Sequence, residues 1–154
     1  DAAVKVKFGF EIDDDEESPD SYFYFEITPD GAESGCGAGD GDQSICHYTE
    51  TYYDTDSKVL GDADLFYLDW RDDKSEFTLL IRGWEEDSGW FWPTYEDLDL
   101  GPSGTAWISV ELSLSDFDDG YITMEFESYD PSGTNHDEGI PTKMTIRLGI
   151  VDYP

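Results

Sequence analysis

Residues 4–12 read Val-Lys-Val-Lys-Phe-Gly-Phe-Glu-Ile, and residues 143–150 read Lys-Met-Thr-Ile-Arg-Leu-Gly-Ile. In both stretches an apolar side chain recurs at every second position, which is the signature of a β-strand with one face buried. The same period runs through Phe23, Phe25 and Ile27, through Ile108, Val110, Leu112 and Leu114, and through Ile122, Met124 and Phe126. Phe77–Trp84 is a further candidate strand. Leu65–Trp70 is almost continuously apolar, as a strand covered on both faces would be, and Thr49–Tyr53 is a weaker candidate. Turn chemistry separates them: Pro29-Asp30-Gly31, Asp72-Asp73-Lys74-Ser75, Asp119-Gly120 and Asp130-Pro131-Ser132-Gly133. No window has helical periodicity. Seven or eight short strands without a helix predict an all-β, antiparallel β-sandwich, with residues 1–154 as one domain.

The 154 residues include 38 Asp plus Glu against 8 Lys plus Arg, a formal net charge of −30. A phosphate-binding surface needs a basic stripe, so nucleic acid is not an expected partner. Anionic membranes would repel the chain unless a cation bridged them. The 38% hydrophobic and 16% aromatic content is too high for an acidic disordered segment. The few bases are unevenly placed. Residues 1–12 are net zero and residues 143–154 are net +1, which leaves −31 on residues 13–142. Half of all bases therefore lie in the two terminal strands, at positions alternating with the apolar ones.

The acid concentrates between strands. One group is Asp13, Asp14, Asp15, Glu16, Glu17 and Asp20; a second is Glu85, Glu86 and Asp87 with Glu96, Asp97 and Asp99; a third is Asp130, Asp137 and Glu138. In strands that alternate in direction, these loops emerge at one end, together with Asp54, Asp56, Asp62 and Asp64. Asp116, Asp118 and Asp119 fall at the other end with the cysteine loop. Carboxylates brought together repel unless a cation lies among them. An oxygen-only ligand set suits Ca²⁺, which is the expected cofactor. The alternative is acidity as a solubility or high-salt device.

Pro19-Asp20-Ser21-Tyr22-Phe23-Tyr24, after an Asp-rich loop, is similar to the Asp-Pro-Tyr entry into the second strand of C2 domains. Gly83-Trp84-Glu85-Glu86-Asp87, with the later Glu96-Asp97-Leu98-Asp99-Leu100-Gly101, resembles their third calcium loop. The resemblance implies an immunoglobulin-like or C2-like sandwich and makes Asp14, Asp20, Glu85, Asp87 and Asp99 candidate calcium ligands. The chain departs from the family in four ways. No Pro follows Asp20, the usual Asn-Pro before the fourth strand is absent, residues 88–95 lengthen the calcium loop, and a basic lipid-facing strand is missing.

Cys36 and Cys46 enclose a Gly- and Asp-rich loop. In a secreted chain they read as one disulfide, worth roughly 2–3 kcal/mol by loop entropy; two free thiols are the alternative. Trp90, Phe91, Trp92 and Tyr95, next to Trp84, form the densest aromatic stretch. Exposed, they would stack on a sugar or anchor a partner; folded back, they would cap the core. No Gly-x-Ser-x-Gly occurs, and neither His47 nor His136 has a Ser or Cys in a nucleophilic motif, so no enzymatic activity is expected. The chain begins Asp-Ala-Ala, as a processed N-terminus would.

These readings converge on a secreted, extracellular or cell-surface module that works by association. The first expectation is a homopolymeric subunit of a fibre, coat or matrix, stabilised by calcium. Its assembly strand would be residues 1–12, with Val4, Val6, Phe8, Phe10 and Ile12 inserted into a neighbour and Lys5 and Lys7 on the polar face. The alternatives are a C2-like module bound to protein or, through calcium, to membrane, and a lectin-like module that binds glycan through the aromatic loop.

Overall fold

The computed structural model describes residues 2–12, 19–31, 33–36, 43–61, 66–70, 76–88, 92–100, 107–117, 120–127 and 140–152. Eleven strand segments lie among them: β1 (Ala2–Ile12), β2 (Ser21–Pro29), β3 (Glu33–Cys36), β4 (Gln43–Tyr48), β5 (Ser57–Lys58), β6 (Phe66–Trp70), β7 (Glu76–Ser88), β8 (Pro93–Asp99), β9 (Trp107–Ser113), β10 (Tyr121–Glu127) and β11 (Ile140–Asp152). A three-residue 3-10 turn, Leu114–Asp116, follows β9. The fold is the expected all-β sandwich.

The first sheet is built on β1 and β11, antiparallel partners from Ala2–Asp152 to Ile12–Thr142. β10 flanks β11, while the other edge of β1 is shared by β6, along Ala2–Val6, and β5, at Phe10 and Glu11. The second sheet is built on β2 and β7, with β4 beyond β2. The far edge of β7 is also shared, by β9 along Glu76–Arg82 and by β8 along Trp84–Ser88. The end of β8 then pairs in parallel with the start of β11, at Leu98–Ile140 and Asp99–Pro141, and so ties the sheets together.

The period-two pattern decides which face each sheet buries. Val4, Val6, Phe8, Phe10 and Ile12 are all at most 5% exposed and meet Phe23, Phe25, Ile27, Leu79 and Ile81 across the gap. Phe8 lies 5.1 Å from Phe25 and Phe10 4.9 Å from Phe23, ring centre to ring centre. Burying each of the β1 side chains contributes roughly 1.5–3 kcal/mol. Five of them weigh heavily against a net stability of about 5–15 kcal/mol.

Several elements differ from the sequence expectation. The weak third strand is displaced: β4 ends at Tyr48, and of Thr49–Tyr53 only Tyr52 forms a bridge, to Ser21. The acidic segment around Glu85 and Glu96 is a pair of strands, because β7 continues to Ser88 and β8 returns beside it. Acidic side chains leave the backbone free to pair, so composition alone does not reveal a polar strand.

β5 is a strap held by one glycine. A Cβ at Gly9 would lie 2.6 Å from the Leu60 nitrogen and the Lys58 oxygen, so only glycine lets residues 58–60 cross β1 there. Gly61 N–H also donates to the Phe8 carbonyl, at 3.2 Å. Gly9→Ala should cost about 1–3 kcal/mol. Gly149→Ala, whose Cβ would meet nothing nearer than 3.7 Å, should be close to neutral. Equal melting temperatures for the two variants would show that the strap does not constrain Gly9.

Candidate functional site

The described strand ends that flank the acidic segments meet at one end of the sandwich. β1 ends there at Ile12, whose N–H donates to the Asp56 carbonyl at 2.8 Å. β2 begins there, with Ser21 paired to Glu85 and bridged to Tyr52. β10 ends there and β11 begins there, through Glu127–Lys143 and Ile12–Thr142. Asp20 joins three segments. Its carbonyl accepts the Glu86 N–H at 2.8 Å, and its Oδ1 accepts the Asp54 N–H at 2.8 Å. Asp54 sits at φ 48°, a left-handed turn that Asp tolerates.

The candidate ligands are therefore distributed unevenly. Glu85 pairs with Ser21 and is buried, Asp20 lies one step further along beside Glu86, and the backbone of Asp87 continues past them. Asp99 lies further along β8, beyond the Trp84–Asp97 pair and beside Pro141. Asp14, and the side chains of Asp87 and Asp99, lie outside the described residues. Among the described residues no three acids, histidines or cysteines form a metal-sized group. Glu85 is 6% exposed, and the Ser21 hydroxyl beside it is fully buried without a hydrogen-bond partner. At the opposite end, Asp30, Glu76, Glu111 and Asp116 border a cavity of about 400 Å³.

The chemically distinctive surface is the outer face of the second sheet, which the sequence reading did not single out. The register aligns side chains on this face in rows across the strands. Tyr48, Tyr24, Arg82 and Trp107 form one row; Tyr22, Trp84 and Asp97 form the next; Glu86 and Tyr95 follow. Tyr24 packs on Tyr48 at 4.7 Å, and Tyr22 stacks on Trp84 at 5.1 Å with Tyr95 against its edge. Arg82 sits at the centre, its guanidinium 5.1 Å from the Trp84 ring and 3.3 Å from Asp97 Oδ1. Tyr48, Tyr95 and Trp107 are 61%, 56% and 49% exposed. Of the predicted aromatic loop, Trp92 is exposed and Tyr95 belongs to this face, while Trp90 and Phe91 lie outside the described residues. The signal available in the sequence was the second parity of β2 and β7, Tyr22-x-Tyr24 and Arg82-x-Trp84.

Two phenols of this face, Tyr22 and Tyr24, stay protonated further into the alkaline range than a free tyrosine. Burial pushes Tyr24 up to about 12, and the nearby Glu26 carboxylate and Tyr48 add to the shift. Tyr22 is raised by burial, then by Tyr95 and Glu86. The Tyr24 hydroxyl also donates to Cys46 Sγ at 3.1 Å. Cys46 is disulfide-bonded, and Cys36 is the chain's other cysteine.

No family model matches the chain, and no curated protein is similar to it.

Two measurements check this geometry. A folded Tyr24 value above the ordinary 10.0 gives stability that is complete below pH 10 and lost as pH rises to about 12. Tyrosinate absorbance should therefore show a late-ionising fraction that disappears in Tyr24→Phe; a titration unchanged by that substitution would refute the assignment. Ser21→Ala removes an unpartnered buried hydroxyl and should raise stability by roughly 1 kcal/mol in calcium-free buffer.

Proposed function

We propose that the chain is a secreted, non-enzymatic subunit of an extracellular fibre, coat or matrix, assembled from copies of itself and stabilised by calcium. The observation that carries this reading is the position of β1. The first strand supplies the middle of one sheet and five side chains of the core, and it joins the rest of the chain through the acidic sequence 13–18. Within one chain it occupies its own sheet. The same strand from a neighbour would complete the same register, so exchange of β1 gives assembly without a new fold. Calcium is supported by the four acidic segments that issue from one end, where an ion would offset their mutual repulsion. The C2-like alternative shares this end and differs in requiring calcium-dependent binding to lipid vesicles.

Light scattering of the full chain with calcium should show a polymer. A variant lacking residues 1–11 should give none, and a peptide of residues 1–12 should restore a stable, capped monomer. A full-length chain that stays monomeric at high concentration, with and without calcium, would defeat the proposal. Chelation at fixed ionic strength should lower the melting temperature by several degrees if ions are bound, through loss of linkage.

A second reading is favoured by the aromatic face. Flat, exposed Tyr and Trp rings flanked by carboxylates suit a sugar, whose C–H face stacks and whose hydroxyls donate. Retention on a glycan matrix, lost in Trp84→Ala and Trp107→Ala, would support this lectin-like alternative.

A further inference from the structure

The outer face of the first sheet holds three bases that form no ion pair with a described residue. Lys7 and Arg147 stand directly opposite each other across β1 and β11, and Lys5 stands opposite Gly149. Like charges placed opposite are destabilising within a sheet. Among the described residues none of the three forms an ion pair, although the chain carries 38 acids; Arg147 instead stacks on Tyr121, 3.9 Å from the ring centre. Lys143 forms no ion pair with a described residue either, but the register sets an acid on each side of it, Glu11 and Glu127. A placement that costs stability within the chain points to an acidic partner outside it.

The second sheet's outer face has the complementary character. Glu86, Asp97 and Glu111 project from it among exposed aromatic rings, with Arg82 as its base, already paired to Asp97. Tyr and Trp rings also attract ammonium and guanidinium groups.

We propose that the outer face of the first sheet of one copy, through Lys5, Lys7 and Arg147, docks on the aromatic, acidic outer face of the second sheet of the next copy. This rests on the reading of the chain as a self-assembling subunit. The two faces lie on opposite sides of the sandwich, so the contact is head-to-tail and propagates as an open row rather than closing as a two-fold dimer. The docking does not depend on which copy supplies β1, because a strand in this register presents Lys5 and Lys7 on the outer face whether it lies in its own sheet or a neighbour's. The repulsion between two chains of charge −30 falls away beyond a Debye length of about 8 Å at physiological salt, whereas pairs enclosed between two sheets are screened less.

The test is a pair of charge reversals assayed by light scattering in calcium at about 0.15 M salt. Lys5→Glu/Lys7→Glu/Arg147→Glu and, separately, Glu86→Lys/Glu111→Lys should each weaken association at least about tenfold. Mixed, the two variants should form a complex, because each retains the face that the other lacks. Zero-length carbodiimide cross-linking of the unaltered protein should join Lys5 or Lys7 of one copy to Glu86 or Glu111 of another, which keeps the test valid if a reversed variant fails to fold. Reversed variants that polymerise like the parent, or cross-links that avoid these lysines, would overturn the docking and leave the fibre reading in place. A parent chain that stays monomeric under every condition would overturn both. Monomers whose aromatic face binds a neutral glycan would assign that face to sugar and overturn the docking.

Discussion

The pairing of the first strand with the last is the constraint on which the rest of this structure depends. Eleven consecutive residue pairs join β1 to β11, and their register sends Val4, Val6, Phe8, Phe10 and Ile12 to the same face as Met144, Ile146, Leu148 and Ile150. A slip of one residue would turn Phe8 and Phe10 outward and bring Lys5 and Lys7 into the core. Nearly half of the buried apolar side chains of the described core come from β1 and β11, so contacts between the two ends of the chain are needed to complete it. Closing so long a loop before any reward arrives makes slow folding the physical expectation.

That pairing also explains why both central strands, β1 and β7, share an edge between two short partners. β6 and β5 divide the edge of β1, and β9 and β8 divide that of β7. Splitting an edge lets the chain turn a corner without leaving long unpaired backbone. At the corner Leu98 and Leu100 are fully buried, and a Cβ at Gly83 would lie 2.9 Å from the Phe23 ring and 3.0 Å from Leu98. The absence of a side chain at Gly83 is what lets β8 leave one sheet for the other.

The strands that carry the core were legible in the sequence because alternation is a direct imprint of one-sided burial. β1, β2, β7, β9, β10 and β11 all show it. The strands that were missed carry little or no apolar alternation: β5 has two residues, β3 reads Glu-Ser-Gly-Cys, and β8 is dominated by Asp, Glu and Tyr. Their pairing is a consequence of neighbours already in place, which local pattern does not encode. Strand parity correctly placed the end of β1, the start of β2 and the β10–β11 end together. The aromatic face was not legible, because Tyr22 and Tyr24 interleave with the core residues Phe23 and Phe25 and read as part of one apolar run. Only the register, which sets Tyr22 beside Trp84 and Tyr24 beside Arg82, turns them into a surface.

The distribution of charge then admits a simple physical reading. A chain with 38 acids and 8 bases could have set an acid across the strand from every base. Its register does so at Lys143, between Glu11 and Glu127, although no ion pair forms among these described residues. On the same two strands it sets Lys7 against Arg147 and Lys5 against Gly149 instead. Composition does not account for the difference, since Thr145, Gly149 and Thr123 stand at positions where an acid would have fitted the sheet equally well. Intrachain stability does not account for it either, because like charges in register cost free energy. The proposed docking would supply a compensating benefit, since the outer face of a second copy's other sheet would set Glu86 and Glu111 against these bases.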